Sequence, residues 1–398
     1  MCTVPGAHWR AYKVVIAAND LPYAQAMLRL GIALPQSGAA WHERYRAGLV
    51  PDASPYGLHA LERSGIQPVF DDAAPRSTTA ERALNRLTGW DWTGGRPRRT
   101  SSVDAFLAWD ERHGLPLAFR VGRRLPVYSG VIWASDERLS APARQLTAST
   151  LKRAAGVFVL SRLQVPYLIE HFDTPADRIH FVRFGIDAAF FRPEPQDSLV
   201  ADETIFSAGT DRHRDFDLLI RAVERLRHRR PRLKLRIATR TVPKGPLLGG
   251  IGDCLGVIDH STMRYELARA SVVAVPTKPN IHGSGMTTVL EAMSCERPVI
   301  AMAGTGLEDY IRDGVTGTLV QGGEDESLAR AIDDVLCDPP LAQRQGKQGR
   351  EAVLRDFTSA SLADRLGLMI TATEARSSQQ PPAQGSESAR AWEHRRAS

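Results

Sequence analysis

Short apolar runs alternate with longer amphipathic segments along most of this chain. The clearest example has an apolar run at residues 272–276, a glycine-containing loop, an amphipathic segment at 286–295 and a second apolar run at 297–302. Short apolar runs bounded by proline and glycine are typical of strands buried on both faces of a parallel sheet. Because neighbouring parallel strands need a crossover between them, usually a helix, this stretch predicts a βαβ unit.

The same alternation predicts two successive sets of strands with helices between them. Strands are predicted at residues 12–18, 67–70, 103–109, 125–133, 154–160 and 179–182 of the first set, and at 204–209, 233–238, 272–276, 297–302 and 318–320 of the second. Residues 21–55 show a weak pattern to which no element is assigned. The sequence therefore predicts an α/β fold with an N-terminal domain (1–195), a C-terminal domain (196–370) and a disordered tail (371–398).

The loop of the central βαβ unit predicts an anion site. Gly283 and Gly285 allow the backbone to approach a ligand closely, and the residues from Met286 onward form a first helical turn whose N–H groups lack partners within the helix. Glu291 lies about two turns inside the helix, where its side chain leans back toward the N-terminus. A nucleoside diphosphate suits this layout, with phosphates on the amides and ribose hydroxyls on the carboxylate. A plain turn followed by a surface glutamate is the alternative.

Three segments of the second half resemble the retaining glycosyltransferases of family 4. They are Leu-Glu-Ala-Met at 290–293, Arg-Pro-Val-Ile at 297–300 and Asp-Tyr-Ile-Arg-Asp-Gly-Val-Thr-Gly at 309–317, and the resemblance covers roughly residues 155–360. It implies two facing Rossmann-like domains with parallel sheets and an interdomain cleft, the GT-B architecture. It also implies retaining transfer of a sugar from a nucleotide-diphosphate sugar, the co-substrate, to a hydroxyl of an unidentified acceptor that is a small molecule, a glycan or a lipid-linked compound. No cofactor is implied.

The chain departs from the family pattern at Gly283. Members of the family have a glutamate eight positions before the residue that corresponds to Glu291, and this chain has Gly283 there. In the family that first acid contacts the transferred sugar, so its replacement bears on recognition of the donor sugar. His282, the preceding residue, is the candidate substitute.

A second departure follows the strand at 204–209. Members of the family have Gly-Arg there and a lysine a few positions on, and both basic side chains grip the diphosphate. This chain has Thr210 in the arginine position, whereas Arg214 falls where the lysine would be and Arg212 lies between them. Arginine can bind phosphate through two parallel hydrogen bonds. The resemblance therefore implies Arg212, Arg214 and Glu291 as catalytic residues. The implied donor-binding residues are Gly209, His282, Gly283, Ser284, Gly285, Met286, Thr287 and Glu291.

Polar residues at the ends of predicted N-terminal strands are candidate acceptor contacts. Asn19 and Asp20 follow the first predicted strand, and Asp110 and His113 follow the third. Ligands of open α/β sheets bind beyond the carboxyl ends of the strands. Turn formation and helix capping are the alternative roles for these asparagine and aspartate side chains.

Two further patterns each allow two interpretations. Trp90 and Trp92 either offer aromatic faces to an acceptor or anchor a loop to the core. Asp215 and Asp217 match a D-x-D pattern that holds a metal in another glycosyltransferase architecture, but Asp215 at a helix start is more simply an N-cap. Since the arginines and the helix terminus supply positive charge, the sequence predicts activity without a metal ion.

The composition and charge of the chain limit which binding partners and which cellular compartment are expected. The formal net charge is +6, and arginine is dense at residues 82–124 and 221–236. We expect these stretches to form solvated helix faces; binding to an anionic membrane surface is the second alternative. Nucleic acid is not an expected partner, because no nucleic-acid-binding motif is present. No apolar run is long enough to span a membrane, no signal-peptide pattern begins the chain, and the four cysteines are scattered. We therefore expect a cytoplasmic protein, either free or peripheral to the inner face of the membrane.

Two other functions remain open at this level. A nucleotide-sugar epimerase of the same architecture would turn over the nucleotide sugar without an acceptor. A catalytically silent nucleotide-sugar-binding protein would bind the donor and release no nucleotide, and Gly283 in place of the glutamate favours it.

Overall fold

The structure is a computed structural model that describes residues 27–34, 36–70, 77–93, 102–135, 139–194 and 203–379. The first sheet has six strands: β1 (Leu28–Ala33), β2 (Ile66–Phe70), β3 (Ala105–Ala108), β4 (Val127–Gly130), β5 (Gly156–Val159) and β6 (Ile179–Phe181). They lie in the order β2-β1-β3-β4-β5-β6, and all pairs are parallel. The helices around this sheet are α1 (Gly38–Arg46), α2 (Thr79–Thr88), α3 (Glu111–Val121), α4 (Ala141–Leu151) and α5 (Gln164–Phe172), with 3-10 segments at Pro55–Ser64 and Ala176–Arg178.

The second sheet has seven strands in the order β13-β12-β11-β7-β8-β10-β9. They are β7 (Thr204–Ala208), β8 (Lys234–Ala238), β9 (Gly245–Pro246), β10 (Gly252–Cys254), β11 (Val272–Val275), β12 (Val299–Met302) and β13 (Thr318–Val320). All pairs are parallel except β9 with β10. The remaining helices are α6 (Phe216–Leu226), α7 (His260–Arg269), α8 (Met286–Ser294), α9 (Asp325–Cys337), α10 (Pro339–Asp356) and α11 (Ser359–Gln379), with 3-10 segments at Leu248–Gly250 and Leu307–Asp309.

The predicted α/β class with two parallel-sheet domains is confirmed. β4, β5, β11 and β12 are buried at every position. Strands covered by helices on both faces need apolar residues throughout, which explains their unbroken apolar runs. No helix within the described residues is long and apolar enough to cross a membrane.

The first strand of the described sheet differs from the prediction. The predicted strand at 12–18, with Asn19 and Asp20 after it, lies outside the described residues. β1 instead occupies Leu28–Ala33, in the stretch whose weak pattern was assigned no element, and it pairs with both β2 and β3. Gly31 weakens its apolar pattern, yet a Cβ there would lie 2.6 Å from the ring of Phe106. The neighbouring side chain therefore fills the space that an apolar residue would occupy.

The C-terminal helix corrects the predicted end of the second domain. α11 runs to Gln379, so residues 371–379 are helical and not a disordered tail; residues 380–398 lie outside the described part. α11 packs on the first domain, where the Tyr128 hydroxyl donates to Glu374 Oε1 at 2.7 Å and Arg63 pairs with Asp364 at 3.3 Å. The chain therefore returns to its N-terminal domain, and the range 196–370 does not describe one separate packing unit.

The loops beyond the carboxyl ends of the two sheets meet each other. The Tyr310 hydroxyl, from the loop after β12, donates to Leu160 O at 2.6 Å and accepts from the Phe184 N–H at 3.1 Å. The Arg162 N–H, after β5, donates to Asp309 Oδ2 at 2.8 Å. These contacts bring the strand ends of both domains to one cleft, where ligands of α/β sheets bind.

Candidate functional site

Arg214 is the buried cation of the cleft. It lies in the loop after β7 and is 5% exposed. Its Nη2 donates to Ala208 O at 2.6 Å and to Ser207 Oγ at 3.3 Å, whereas Nε and Nη1 have no partner in the described part of the chain. Burial lowers the pKa of Arg214 to about 10, so the guanidinium stays charged at neutral pH. A buried charge with unpaired donors is costly, and an anionic ligand would satisfy it.

Two glycines permit the close approach of backbone to this guanidinium. Gly209 has φ +153° and Gly285 has φ +91°. A Cβ on Gly209 would lie 2.7 Å from Arg214 Nε, and a Cβ on Gly285 would clash with Arg214 Nη1. The unpaired donors of Arg214 therefore face the ends of β7 and β11, and a larger residue at either glycine would displace them.

The start of α8 offers fewer free amides than the sequence suggested. Three N–H groups of the loop already donate within the protein, those of Gly283, Ser284 and Met286. Three others have no acceptor among the described residues, those of Gly285, Thr287 and Thr288. These free donors lie at the positive end of the helix dipole, beside Arg214, and together they form an anion cradle.

Glu291 lies deeper in α8 and is only 7% exposed. No described residue forms a hydrogen bond or an ion pair with its carboxyl group. Burial raises its pKa to about 8, so a large fraction is protonated at neutral pH. An unpaired buried carboxyl group on the helix whose N-terminus forms the cradle is suited to ligand hydroxyls, which would supply the missing hydrogen bonds.

Gly283 occupies a backbone conformation that disfavours the glutamate of the family. Its φ is +72°, in the left-handed region, and its N–H donates to Thr305 O at 3.0 Å. A side chain at this position would be strained. The backbone conformation of the loop therefore explains why glycine, and not glutamate, occupies position 283.

His282 points toward the cleft and forms part of a histidine–aspartate group. Its Nε2 lies 2.9 Å from Asp211 Oδ2, and its ring centroid is 5.1 Å from that of Trp133 in the first domain. Asp211 Oδ1 accepts from the His213 N–H at 2.9 Å and faces His213 Nδ1 at 3.2 Å. Burial opposes ionisation of Asp211, but the hydrogen bonds from His282 and His213 outweigh it and hold the pKa of Asp211 well below its usual value. Asp211 is therefore a carboxylate.

Asp110 and His113 belong to an internal network rather than to the open cleft. Asp110 caps α3 by accepting from the Arg112 N–H at 3.1 Å, and it also binds His113 Nδ1 at 3.0 Å. The other ring nitrogen of His113 lies 3.3 Å from Asp91 Oδ2. Burial opposes ionisation of Asp110, but the hydrogen bonds from His113 and Arg112 lower its pKa. The capping role of Asp110 is confirmed. The Asp110 and His113 side chains form a hydrogen bond with each other.

Glu111 is a positioning residue that the sequence analysis missed. Its carboxylate accepts from the Ile132 N–H at 2.8 Å and from the Trp133 N–H at 2.5 Å. Burial and the charge of Asp110 raise the pKa of Glu111 to about 7. Glu111 thus holds the loop after β4 that carries Trp133 against His282. Acidic residues are common in the first turn of a helix, where they interact favourably with the helix dipole. The sequence around Glu111 therefore did not indicate that its side chain binds the loop after β4.

The remaining sequence candidates have different roles. Trp90 and Trp92 are 4% and 5% exposed and stack with their ring centroids 5.7 Å apart, so they anchor their loop. Asp215 caps α6 by accepting from the Leu218 N–H at 3.1 Å, while Asp217 is exposed. The D-x-D pattern therefore marks the start of a helix, with Asp215 as its N-cap. Arg212 is exposed, and Thr287 contributes its free N–H to the cradle.

A second concentration of positive charge lies away from the cleft. A cavity of about 530 Å³ is formed by the segments before β4 and β5 together with α11. Its cationic lining residues are Arg123, Arg124, Lys152, Arg153, Arg178 and Arg376. These segments are at the amino ends of the strands, so this cavity is on the edge of the sheet opposite the cleft. The arginines of the dense stretch before residue 124 thus converge with others from later in the chain.

The two parallel-sheet domains have the fold of solved GT-B glycosyltransferases. Among solved structures, a sucrose-phosphate synthase from Thermosynechococcus elongatus is similar with a TM-score of 0.68 and 19% identity, over 88% of this chain and 100% of that one. Anabaena Alr3699/HepE in complex with UDP-glucose is similar with a TM-score of 0.62 and 16% identity, over 87% of this chain and 100% of that one. At these identities the likeness concerns the fold.

Residues 202–338, in the second domain, match the glycosyl transferases group 1 family model. A D-inositol 3-phosphate glycosyltransferase of Streptomyces scabiei is 27% identical over 294 residues, 64% of this chain and 64% of that protein. A GDP-mannose-dependent alpha-(1-6)-phosphatidylinositol monomannoside mannosyltransferase of Mycolicibacterium smegmatis is 31% identical over 172 residues, 39% of this chain and 44% of that protein. The match thus spans less than two thirds of the length of either relative. The resemblance to family 4 is confirmed.

Proposed function

We propose that the protein transfers a sugar from a nucleoside-diphosphate sugar to an acceptor hydroxyl with retention of the anomeric configuration. The observation that carries this proposal is the anion cradle. Arg214 presents two unpaired donors to the glycine-bounded loops, next to the free amides at the start of α8. The names of the relatives support donor and acceptor chemistry of this kind, and HepE, a structural neighbour, binds UDP-glucose.

The cradle would act on the leaving group. In the reaction, the bond from the sugar C1 to the diphosphate oxygen breaks, a bond from C1 to the acceptor oxygen forms, and the acceptor proton passes to the departing diphosphate. Negative charge grows on the diphosphate as the first bond breaks. Arg214 and the amides of Gly285, Thr287 and Thr288 stabilise that charge because they are already oriented toward it.

Glu291 would bind hydroxyl groups of the donor. Its carboxyl group is buried and unpaired among the described residues, and it lies on the same helix whose N-terminus receives the phosphates. The acceptor would enter from the side of Trp133, which the first domain places against His282. Attack from the same side as the leaving group gives retention, as the resemblance to family 4 implies.

A thermal-shift panel of the full chain with uridine, guanosine, thymidine and adenosine diphosphates tests donor binding. Ligand at about a hundred times its dissociation constant stabilises the protein by roughly 2.7 kcal/mol. At about 2–4 °C per kcal/mol, the melting temperature should rise by roughly 5–10 °C with the correct base. The matched control is Arg214→Gln, which at the same nucleotide concentration should lose about half of the shift or more. No shift with any of the four nucleotides at millimolar concentration would refute the donor site.

The nucleotide identified by the panel then allows the reaction to be tested. Its sugar conjugates are incubated with the protein and a set of hydroxyl acceptors, and nucleotide release and the anomeric configuration of the product are measured by NMR. Retention is expected. Inversion would refute the stereochemical part, and isomerisation of the sugar without an acceptor would indicate an epimerase. Binding without nucleotide release would indicate a silent binding protein, which the strained site for an acid at Gly283 favours.

A further inference from the structure

Two loops bring three ligand-type side chains together beside the anion cradle. One oxygen of the Asp211 carboxylate faces His282 Nε2 at 2.9 Å, and the other faces His213 Nδ1 at 3.2 Å. One ligand atom from each of the three side chains lies within 4.8 Å of the other two. Asp211 and His282 are 71 residues apart in the chain, so the tertiary structure creates this group. Asp211 is also held by the His213 N–H at 2.9 Å, which fixes its orientation.

The donor atoms are those of a transition-metal site. Zinc and related divalent ions bind imidazole nitrogens and carboxylate oxygens at about 2.0–2.2 Å, whereas magnesium and calcium prefer all-oxygen sites. Each of the two rings presents one nitrogen to the same carboxylate. A single ion between them would replace the two hydrogen-bonded protons and keep all three side chains near their present positions. The ordinary alternative is a pair of histidine–aspartate hydrogen bonds without an ion.

The surroundings leave room for a further ligand. The His282 side chain is 6% exposed and rests near Trp133, but those of Asp211 and His213 are 15% and 21% exposed. The group is thus fixed on one side and open on the other. Three protein ligands with an open position are typical of zinc sites that bind water or a substrate atom.

We propose that Asp211, His213 and His282 bind one divalent transition-metal ion of the zinc class at the edge of the anion cradle. His282 directly precedes Gly283, and the Arg214 N–H donates to Asp211 O at 3.1 Å, so the ion site and the cradle share both loops. The open position of the ion faces a phosphate oxygen of the donor; this second part rests on the proposed function. The sequence analysis predicted activity without a metal ion because the arginines and the helix terminus supply positive charge, and it weighed only Asp215 and Asp217 as metal ligands. This proposal departs from that prediction.

Calorimetric titration of the full chain with Zn²⁺, after chelator treatment and without nucleotide, tests the ion site. We expect one ion per chain. His213→Gln and His282→Gln should each weaken binding by at least about 100-fold, because even partners outside the coordination shell contribute 10–100-fold. His228→Gln, an exposed position in the turn after α6, is the matched control and should bind like the wild type. Circular dichroism shows whether each variant is folded.

Cobalt provides a second readout that needs no variant. Co²⁺ in the wild-type protein should show visible absorption of low-coordinate nitrogen and oxygen ligation, and Zn²⁺ should displace it. Absence of stoichiometric binding, or equal Zn²⁺ affinity of the wild type and the folded His213→Gln variant, would overturn the proposal and leave two hydrogen bonds as the role of the group.

The linkage to the donor is tested separately with the nucleotide found by the thermal-shift panel. Because coupling is reciprocal, Zn²⁺ should increase the nucleotide affinity of the wild type but not that of His213→Gln. If zinc binds but the nucleotide affinity does not change, the proposed contact between the ion and the phosphate is wrong, whereas the proposed ion site stands. Zinc binding without any nucleotide binding would overturn the proposed function alone.

Discussion

Replacing Glu291 by glutamine should stabilise the free protein at alkaline pH. The carboxyl group is buried and has no hydrogen-bond partner among the described residues. Burial raises its pKa from the ordinary value of 4.5 to about 8. Glutamine has nearly the same shape and cannot ionise, so the substitution removes the charge and keeps the volume.

The sign and size follow from the two pKa values. Above pH 4.5 the unfolded chain has lost this proton, whereas the folded chain keeps it until about pH 8. The contribution of the group to stability is therefore fully present below pH 4.5 and is lost as the pH rises toward 8. The loss is about 1.4 kcal/mol per pH unit, or roughly 3 kcal/mol between pH 5 and pH 8. At about 2–4 °C per kcal/mol, this corresponds to roughly 6–12 °C in melting temperature.

The measurement is the difference in melting temperature between Glu291→Gln and the wild type at pH 5, 6, 7 and 8. Taking the difference removes the other groups that titrate in this range, including Glu111 and Asp52, whose pKa values burial raises to about 7. Glu351→Gln, at an exposed position of α10, is the matched control and should show a constant difference. The Glu291→Gln difference should grow with pH.

A Glu291→Gln difference that stays constant from pH 5 to pH 8 would refute the argument, because it would mean that the group titrates alike in the folded and unfolded chains. The same variant should bind the donor more weakly. A hydrogen bond between neutral groups contributes about 0.5–1.5 kcal/mol, which corresponds to about 2–10-fold in dissociation constant. Equal donor affinity in calorimetry would separate Glu291 from the donor site.

Two further substitutions test the cradle and the domain contact. Arg214→Gln should weaken nucleoside-diphosphate binding by about 10–100-fold, since charge-assisted hydrogen bonds to the phosphates are lost; an unchanged calorimetric dissociation constant would exclude Arg214 from the site. Tyr310→Phe removes the hydroxyl that joins Leu160 and Phe184 to the second domain. It should lower the free energy of unfolding by about 1–3 kcal/mol in urea titrations, because the Phe184 N–H is left unsatisfied; an unchanged midpoint would contradict this.

Local patterns were sufficient for most of the second domain. β11, α8, β12 and β13 lie where the alternation of apolar runs predicted them, and Asp215 is the helix cap that its position indicated. The pattern failed at β1, where packing against Phe106 requires Gly31. The pattern also failed for α11, because this helix packs on the first domain, which is distant from it in the sequence.

The sequence by itself determined the unit from β11 to β12, including the glycine loop and the glutamate inside the helix. Those features depend on neighbours within one turn or one strand, so periodicity and glycine placement are enough to predict them. Only the tertiary structure decided which side chains meet at that loop. β11 pairs with β7, and this strand order places the loop of Arg214 and Asp211 beside that of Gly285 and His282. Contacts between the ends of adjacent strands follow from sheet order, which no local pattern encodes.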